Sequence, residues 1–282
     1  MSDVNTKTIS LSMTGSNALY FILALGVAFV VAPGSGLADD AAPSSVAEWT
    51  RQLQQALQDR NSPQAVAILD RLIEAVPDNS RFHYLRGCEN LRVRSYGKSV
   101  ADFDRYLELA PERKESLWER GISCYFAGQY REGAEQFALY QNYHDQDVEN
   151  SVWRYLCIAK TDGTKKARET LLPIKRDPRP GLMEVFQMYQ GTVSPEELLE
   201  AARTTSLPEE AAAGFRFYTY LYVGFFYWAE DKPAQARDVL SLAADPQLFE
   251  AGRERISRYM WDVAVIAQHE VVAEIEANSG KK

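Results

Sequence analysis

The residues that could carry covalent or metal chemistry are few and scattered. The chain has three cysteines and three histidines, with no C-x-x-C pair. The segment that begins His269-Glu270 resembles a zinc-binding helix, but Ala273 stands where the second histidine ligand is needed. No G-x-S-x-G, P-loop or G-x-G-x-x-G segment occurs. The sequence therefore predicts no catalytic residue, no metal and no cofactor, and it favours small buried side chains over nucleophiles for Cys88, Cys124 and Cys157.

The charge balance narrows the class of partner. The 282 residues include 31 lysines and arginines against 39 acidic residues, a formal net charge of -8. Nucleic-acid binding depends on basic surface that neutralises phosphates, so this balance argues against it. An apolar fraction of 46% with 25% charged residues is typical of folded proteins. Proteins or peptides are the predicted partners.

A repeat with a period of 34 residues organises most of the chain. Units that begin at residues 46, 80 and 114 share a large side chain at position 4, a small one at position 20 and an apolar one at position 24. Small residues let two helices approach closely, and one such unit cannot bury its apolar face alone. The three positions hold Trp49, His83 and Leu117, then Ala65, Ser99 and Gly133, then Leu69, Phe103 and Phe137.

This pattern resembles the tetratricopeptide repeat (TPR). It predicts an all-α fold, a right-handed superhelical solenoid of antiparallel helix pairs with a C-terminal capping helix. The solenoid is predicted over residues 46–277, followed by a disordered tail at 278–282. Its units are predicted near 46–79, 80–113, 114–147 and 148–181, with a divergent unit at 182–215, a regular one at 217–250 and the cap at 251–277.

The N-terminus has the features of an export segment. The apolar run at residues 18–32 is shorter than the roughly 20 residues of a membrane span and close to the length of a signal-peptide core. Gly36 and Ala38 provide small residues where a signal peptidase reads. We therefore expect residues 1–38 to be a cleaved signal peptide or an uncleaved N-terminal membrane anchor. Residues 39–45 are expected to be a flexible linker, and the protein to reside in the periplasm or cell envelope.

Within the TPR proteins, the chain is similar to the bacterial cell-envelope proteins of the new-lipoprotein-I type. The similarity lies in Arg86-Gly87, the segment 117–121, Tyr130 and the segment 153–157. The chain departs from that group because no cysteine precedes Cys88, so the lipid anchor does not carry over. The resemblance implies an adaptor that docks other envelope proteins.

TPR arrays usually bind their partners along the face lined by the first helix of each pair. Carried over by repeat position, the candidate partner-binding residues are Arg81, Tyr84, Arg92, Glu115, Trp118, Tyr125, Phe126, Lys160, Tyr218, Phe225 and Trp228. The aromatic members could instead be core residues, since large aromatic side chains are often buried. The aromatic helix at 215–228 leaves the same two alternatives, a wedged core helix or a binding pocket.

Arginine recurs at position 7 of three successive units, as Arg86, Arg120 and Arg154. These arginines could grip an anionic ligand, but pairing with acids of the second helices, such as Asp102 or Asp104, is favoured. The sequence as a whole predicts a non-enzymatic scaffold that binds proteins through its groove. The alternatives are a self-associating assembly protein, including a homodimer, and a small-ligand or enzyme pocket around residues 215–228.

Overall fold

The computed structural model describes residues 42–280. The predicted signal peptide or anchor at 1–38 lies outside the described residues. Helix α1 begins at Ala42, inside the segment predicted as a flexible linker. A proline early in the segment does not prevent this, because the first helical turn needs no backbone N–H donor there. The last helix ends at Ser279, two residues beyond the predicted cap.

Residues 42–280 form helices joined by short connections, without a β-strand. No helix in this range is both long enough and apolar enough to cross a membrane. The helices are α1 Ala42–Gln58, α2 Ser62–Ala75, α3 Ser80–Arg92, α4 Tyr96–Leu109, α5 Trp118–Phe126, α6 Tyr130–Tyr143, α7 Val148–Glu169, α8 Leu182–Gln190, α9 Pro195–Thr204, α10 Glu209–Ala229, α11 Pro233–Ala243, α12 Pro246–Ala251 and α13 Arg258–Ser279.

Consecutive helices pack as pairs, and small residues at the repeat positions make the close packing possible. A Cβ atom added at Gly121 of α5 would lie 2.6 Å from the ring of Phe137 on α6. A Cβ at Gly224 of α10 would lie 2.6 Å from Leu240 on α11. Contacts this short are repulsive, so only glycine fits there. The all-α array of TPR-type helix pairs predicted from the 34-residue period is confirmed.

The fourth pair departs from the regular pattern. Helix α7 is two helices joined at Gly163, whose φ of 83° and ψ of 162° are accessible essentially only to glycine. The second of these helices is therefore short, and it ends in a connector that leads to the pair α8 and α9. Helices α10 and α11 form the next pair, with the aromatic segment 215–228 inside α10.

Helix α13 extends further than a cap on the last pair would. It packs on α11, as a cap must, and it also reaches α3 near the other end of the array. Its buried side chains include Tyr259, Met260, Asp262, Val263 and Ala264, which are successive or nearly successive residues on a helix. A helix buried on more than one side is packed between neighbours. The predicted cap is thus also an internal element of the array.

Candidate functional site

The face predicted as the partner-binding groove is partly covered by α13. On α3, Arg92 Nε donates to Asp262 Oδ2 at 2.8 Å. On α5, the Trp118 ring packs edge-on against Tyr259, with centroids 4.9 Å apart. Asp262 also pairs with Arg60, in the turn between α1 and α2. The chain therefore occupies much of this face with its own last helix.

The C-terminal half of α13 makes two further contacts across the same face. The Tyr96 hydroxyl donates to Glu270 Oε1 at 2.5 Å, and the Trp228 indole N–H donates to Glu274 Oε2 at 2.8 Å. Each contact uses one oxygen of its carboxylate. The other oxygen of each carboxylate has no hydrogen-bond partner among residues 42–280. Both glutamates are therefore tethered but keep acceptor capacity.

A cleft of about 280 Å³ remains open between this half of α13 and the first helices of the pairs. We call it the aromatic-acidic cleft. Its walls combine aromatic rings, two carboxylates and one ammonium group. It is lined by Tyr125, Phe126, Tyr130, Lys160, Trp228, Glu270, Ala273 and Glu274.

The rings of the cleft hold one another in place. Tyr125 lies at their centre, with its ring centroid 5.4 Å from that of Phe126, 5.7 Å from Tyr130 and 6.4 Å from Trp228. All three contacts are edge-to-face, the geometry that aromatic quadrupoles favour. The Lys160 ammonium lies 5.2 Å from the centroid of the Trp228 ring, a cation–π contact. The cleft therefore has a rigid aromatic wall that already attracts a cation.

Three polar groups of the cleft lack a polar partner within residues 42–280. The Tyr125 side chain is 4% exposed, yet its hydroxyl makes no hydrogen bond there. The Tyr130 hydroxyl makes none either, and Lys160 makes no ion pair. Burial raises the pKa of both tyrosines, so their hydroxyls stay protonated. The two hydroxyl oxygens are accessible from the cleft, so water or a ligand can bind them there.

A second, smaller cleft of about 190 Å³ lies where α13 meets the N-terminal helices. Arg60, Arg92 and Asp262 line it, and these charges already pair with one another. This cleft is part of the seam that holds α13, and it offers a partner fewer unsatisfied groups than the aromatic-acidic cleft does.

The predicted groove residues have different environments in the structure. Tyr125, Phe126, Lys160 and Trp228 line the aromatic-acidic cleft, and Arg92 and Trp118 contact α13. Tyr84 donates to the buried carboxylate of Glu119 at 2.8 Å. The other predicted residues lie outside the cleft. Arg81 is exposed on the first turn of α3 and Glu115 is exposed in the turn before α5, and both stay predictions. Tyr218 and Phe225 are core residues, 4% and 0% exposed.

Tyr218 and Phe225 are buried for the same physical reason. Helix α10 is packed against α7, α8, α9 and α11, so nearly every side of it is covered. Tyr218 uses its hydroxyl as an acceptor for the Ser257 backbone N–H at 3.2 Å, which joins α10 to the start of α13. Of the two alternatives for the segment 215–228, the wedged core helix describes most of it. Trp228, at its end, is the part that reaches the cleft.

Sequence reasoning missed the two carboxylates of the cleft, Glu270 and Glu274. They lie four residues apart on α13, and residues at this spacing share one helix face. The repeat pattern could not reveal them because it ends before α13. The apolar character of α13 on several sides was the available signal that this helix lies inside the array.

The recurrent arginines are structural. All three side chains are partly buried and point toward a second helix or its C-terminal carbonyls. The favoured interpretation, pairing with acids of the second helices, is confirmed for two of the three. The acceptors are Asp102 for Arg86, Asp104 for Arg120 and the Thr170 carbonyl for Arg154, at 2.6, 2.6 and 2.5 Å.

The connector after α7 is also held in place by charge. Arg179 Nη2 lies 2.7 Å from Asp147 and 2.5 Å from Asp177, and it pairs in addition with Glu149. The pKa of Asp177 is lowered by the adjacent Arg179, because the guanidinium stabilises the carboxylate against the cost of burial. The Arg179 side chain of this connector is therefore paired with carboxylates of the same chain.

The cysteines have the environment of core side chains. All three are buried, and burial raises their pKa values above that of a free thiol, to about 11 for Cys124. A thiol is a nucleophile only as the thiolate, so these residues are poorly reactive at neutral pH. In the described part of the chain, no three His, Cys, Asp or Glu residues are arranged to hold a metal ion.

No family model matches the chain. Among solved structures, it is similar to MamA, residues 41 to the end, from Desulfovibrio magneticus RS-1, at 15% identity and a TM-score of 0.44. That match covers 77% of this chain and 100% of the other. A MamA RS-1 ArsTM double mutant gives the same identity and TM-score over 77% of this chain and 99% of that one.

Proposed function

We propose that this protein is a non-enzymatic scaffold that binds protein partners at the aromatic-acidic cleft. The observation that carries the proposal is the set of unsatisfied groups in one open cleft, namely the Tyr125 and Tyr130 hydroxyls and the second oxygens of Glu270 and Glu274. These groups are accessible from the cleft and can donate or accept hydrogen bonds, so a protein partner can bind several of them at once. Aromatic side chains are also common anchors of protein interfaces.

Helix α13 limits where a partner can bind. A free TPR groove would offer its whole length, whereas here Asp262 and Tyr259 cover the N-terminal part. We therefore place the interaction at the C-terminal half of α13. A partner would contact the helix and the array together.

We further propose that the protein is exported and acts in the cell envelope. The support is the apolar run at residues 18–32, the small residues before position 39, and the similarity to envelope TPR proteins in the segment 117–121. The intact mass of protein recovered from the envelope fraction tests export. Cleavage after Ala38 is expected, and recovery of the full-length chain from the cytoplasm alone would contradict it.

Affinity capture with matched variants tests the binding function. The full chain is compared with a Tyr130→Ala/Glu274→Gln double variant of the cleft and with Tyr143→Ala, which alters a side chain that is 63% exposed and outside the cleft. Partners captured from envelope and soluble fractions should be lost with the cleft variant and retained with Tyr143→Ala. An identical set of partners with the cleft variant would overturn the proposal.

A further inference from the structure

The aromatic-acidic cleft has a charge pattern that selects its ligand. Two carboxylates, Glu270 and Glu274, face one ammonium group, Lys160. An anionic ligand would be repelled by both carboxylates, and this repulsion exceeds its attraction to the single lysine. A cationic group meets two carboxylates that each keep a free oxygen. Charge complementarity therefore favours a cation.

The aromatic wall favours the same ligand. Among aromatic side chains, tryptophan attracts cations most strongly. The Trp228 ring already has the Lys160 ammonium 5.2 Å from its centroid. Tyr125 and Tyr130 add further rings around the cleft. A cation placed among these rings is attracted by their electron-rich faces. The cleft combines an aromatic cage with acidic acceptors.

The Tyr125 hydroxyl adds a hydrogen-bonding group that is accessible from the cleft. It belongs to a side chain that is 4% exposed and lines the cleft, and it lacks a hydrogen-bond partner within residues 42–280. A protonated hydroxyl can accept a hydrogen bond from an N–H donor. A guanidinium carries five N–H donors in a planar fork, enough to reach Tyr125 and a carboxylate together.

We infer that the aromatic-acidic cleft binds an arginine side chain of a protein partner, an inference that rests on the proposed scaffold function. The guanidinium stacks on Trp228 in place of Lys160 and donates hydrogen bonds to Glu274, Glu270 and the Tyr125 hydroxyl. Arginine suits this cleft better than lysine because its planar group stacks on aromatic faces and forks onto carboxylates. The Lys160 ammonium acts as a competitor that the ligand displaces.

Titration of the full chain with capped pentapeptides tests the inference. The probes are Gly-Gly-Arg-Gly-Gly and the matching peptides with Gln or Glu in the central position. The readout is the NMR signal of the Trp228 indole N–H, which is bonded to Glu274 and is assigned with Trp228→Phe. The arginine peptide should bind at least tenfold more tightly than the glutamine peptide.

Three variants separate the contributions. Glu274→Gln should weaken binding of the arginine peptide about tenfold, while Glu276→Gln, an exposed site on the same helix, should leave it unchanged. Tyr125→Phe should weaken it about threefold without loss of stability, because the hydroxyl removed has no partner. Lys160→Met should strengthen it severalfold by removing the competing ammonium. Binding is compared only among variants whose melting temperature, measured by circular dichroism, equals that of the wild type.

The opposite outcomes are also defined. Tighter binding of the glutamate peptide, abolished by Lys160→Met, would make the cleft an anion site and overturn the inference. Tighter binding of choline or spermidine than of the arginine peptide would make it a small-molecule site and would also overturn it. If no probe moves the Trp228 signal while cleft-dependent partners are still captured, the arginine inference fails and the scaffold function stands.

Discussion

The ion pair between α3 and α13 gives a quantitative test of whether the last helix packs against the first pairs of the array. Arg92 Nε lies 2.8 Å from Asp262 Oδ2, although the two residues are 170 positions apart in the chain. The side chains are 22% and 7% exposed, so water screens the pair only partly. The perturbations are Asp262→Asn, which removes the charge and keeps the shape, and Arg92→Met, which keeps the apolar stem.

The expected energies follow from this geometry. Two unit charges about 4 Å apart attract by about 4 kcal/mol at an effective dielectric constant of ~20. Asp262 keeps Arg60 and Arg92 keeps Glu89 as second partners, so each residue loses only part of its stabilisation. We expect losses of about 3 kcal/mol for Asp262→Asn, about 2 kcal/mol for Arg92→Met and about 3 kcal/mol for the double variant. The coupling energy is then about 2 kcal/mol.

Urea denaturation of the four proteins, followed by circular dichroism, measures this cycle. The control cycle is Arg237 with Asp238, a pair on α11 whose side chains are 46% and 65% exposed, and which should couple by less than about 1 kcal/mol. If the coupling of Arg92 with Asp262 does not exceed that of the control, α13 does not lie against α3 and the reasoning is refuted.

Three further predictions concern the array itself. Gly121→Ala should destabilise the array by about 1–3 kcal/mol, because the added Cβ would lie 2.6 Å from Phe137. Gly97→Ala, whose added Cβ would have no atom within 4 Å, should be neutral or slightly stabilising. Thermal unfolding of the two variants and the wild type measures the difference. Burial raises the pKa of Glu119 to about 7, so its contribution to stability is complete below about pH 4.5 and is lost as the pH rises through 7. Relative to Glu119→Gln, which keeps an acceptor for Tyr84, the wild type should lose up to about 3 kcal/mol between pH 4.5 and 8 in urea titrations, and parallel curves would contradict this. The three buried thiols are those of Cys88, Cys124 and Cys157. Iodoacetamide at pH 8 should modify them only when urea unfolds the protein, and labelling of the native protein would contradict their burial.

The sequence predicts the repetitive part of this protein because repeats are governed by local spacing. Gly121 and Phe137 are sixteen residues apart, and their fit recurs as Gly87 with Phe103 one period earlier. Such pairs reveal which helices pack and which residues are small. The pairing of arginine at position 7 with acids sixteen residues away is local in the same sense.

The site could be predicted only in part, because half of it comes from outside the repeat. Tyr125 and Trp228 follow from repeat positions, and both line the cleft. Glu270 and Glu274 lie on α13, whose contacts join residues up to 202 positions apart. No spacing rule connects residues at such separations. The burial of Phe225 likewise depends on neighbours around α10 that the repeat pattern does not include.

Site-specific photo-cross-linking tests most directly whether partners bind at the aromatic-acidic cleft. A photoreactive phenylalanine analogue replaces Tyr130, which lines the cleft, or Tyr143, which is exposed outside it, in cells that make the full chain. We predict adducts with partner proteins from position 130 that disappear with Glu274→Gln, and few from position 143. Adducts from position 143 alone, or adducts from position 130 that persist with Glu274→Gln and equal those from position 143, would contradict binding at the cleft.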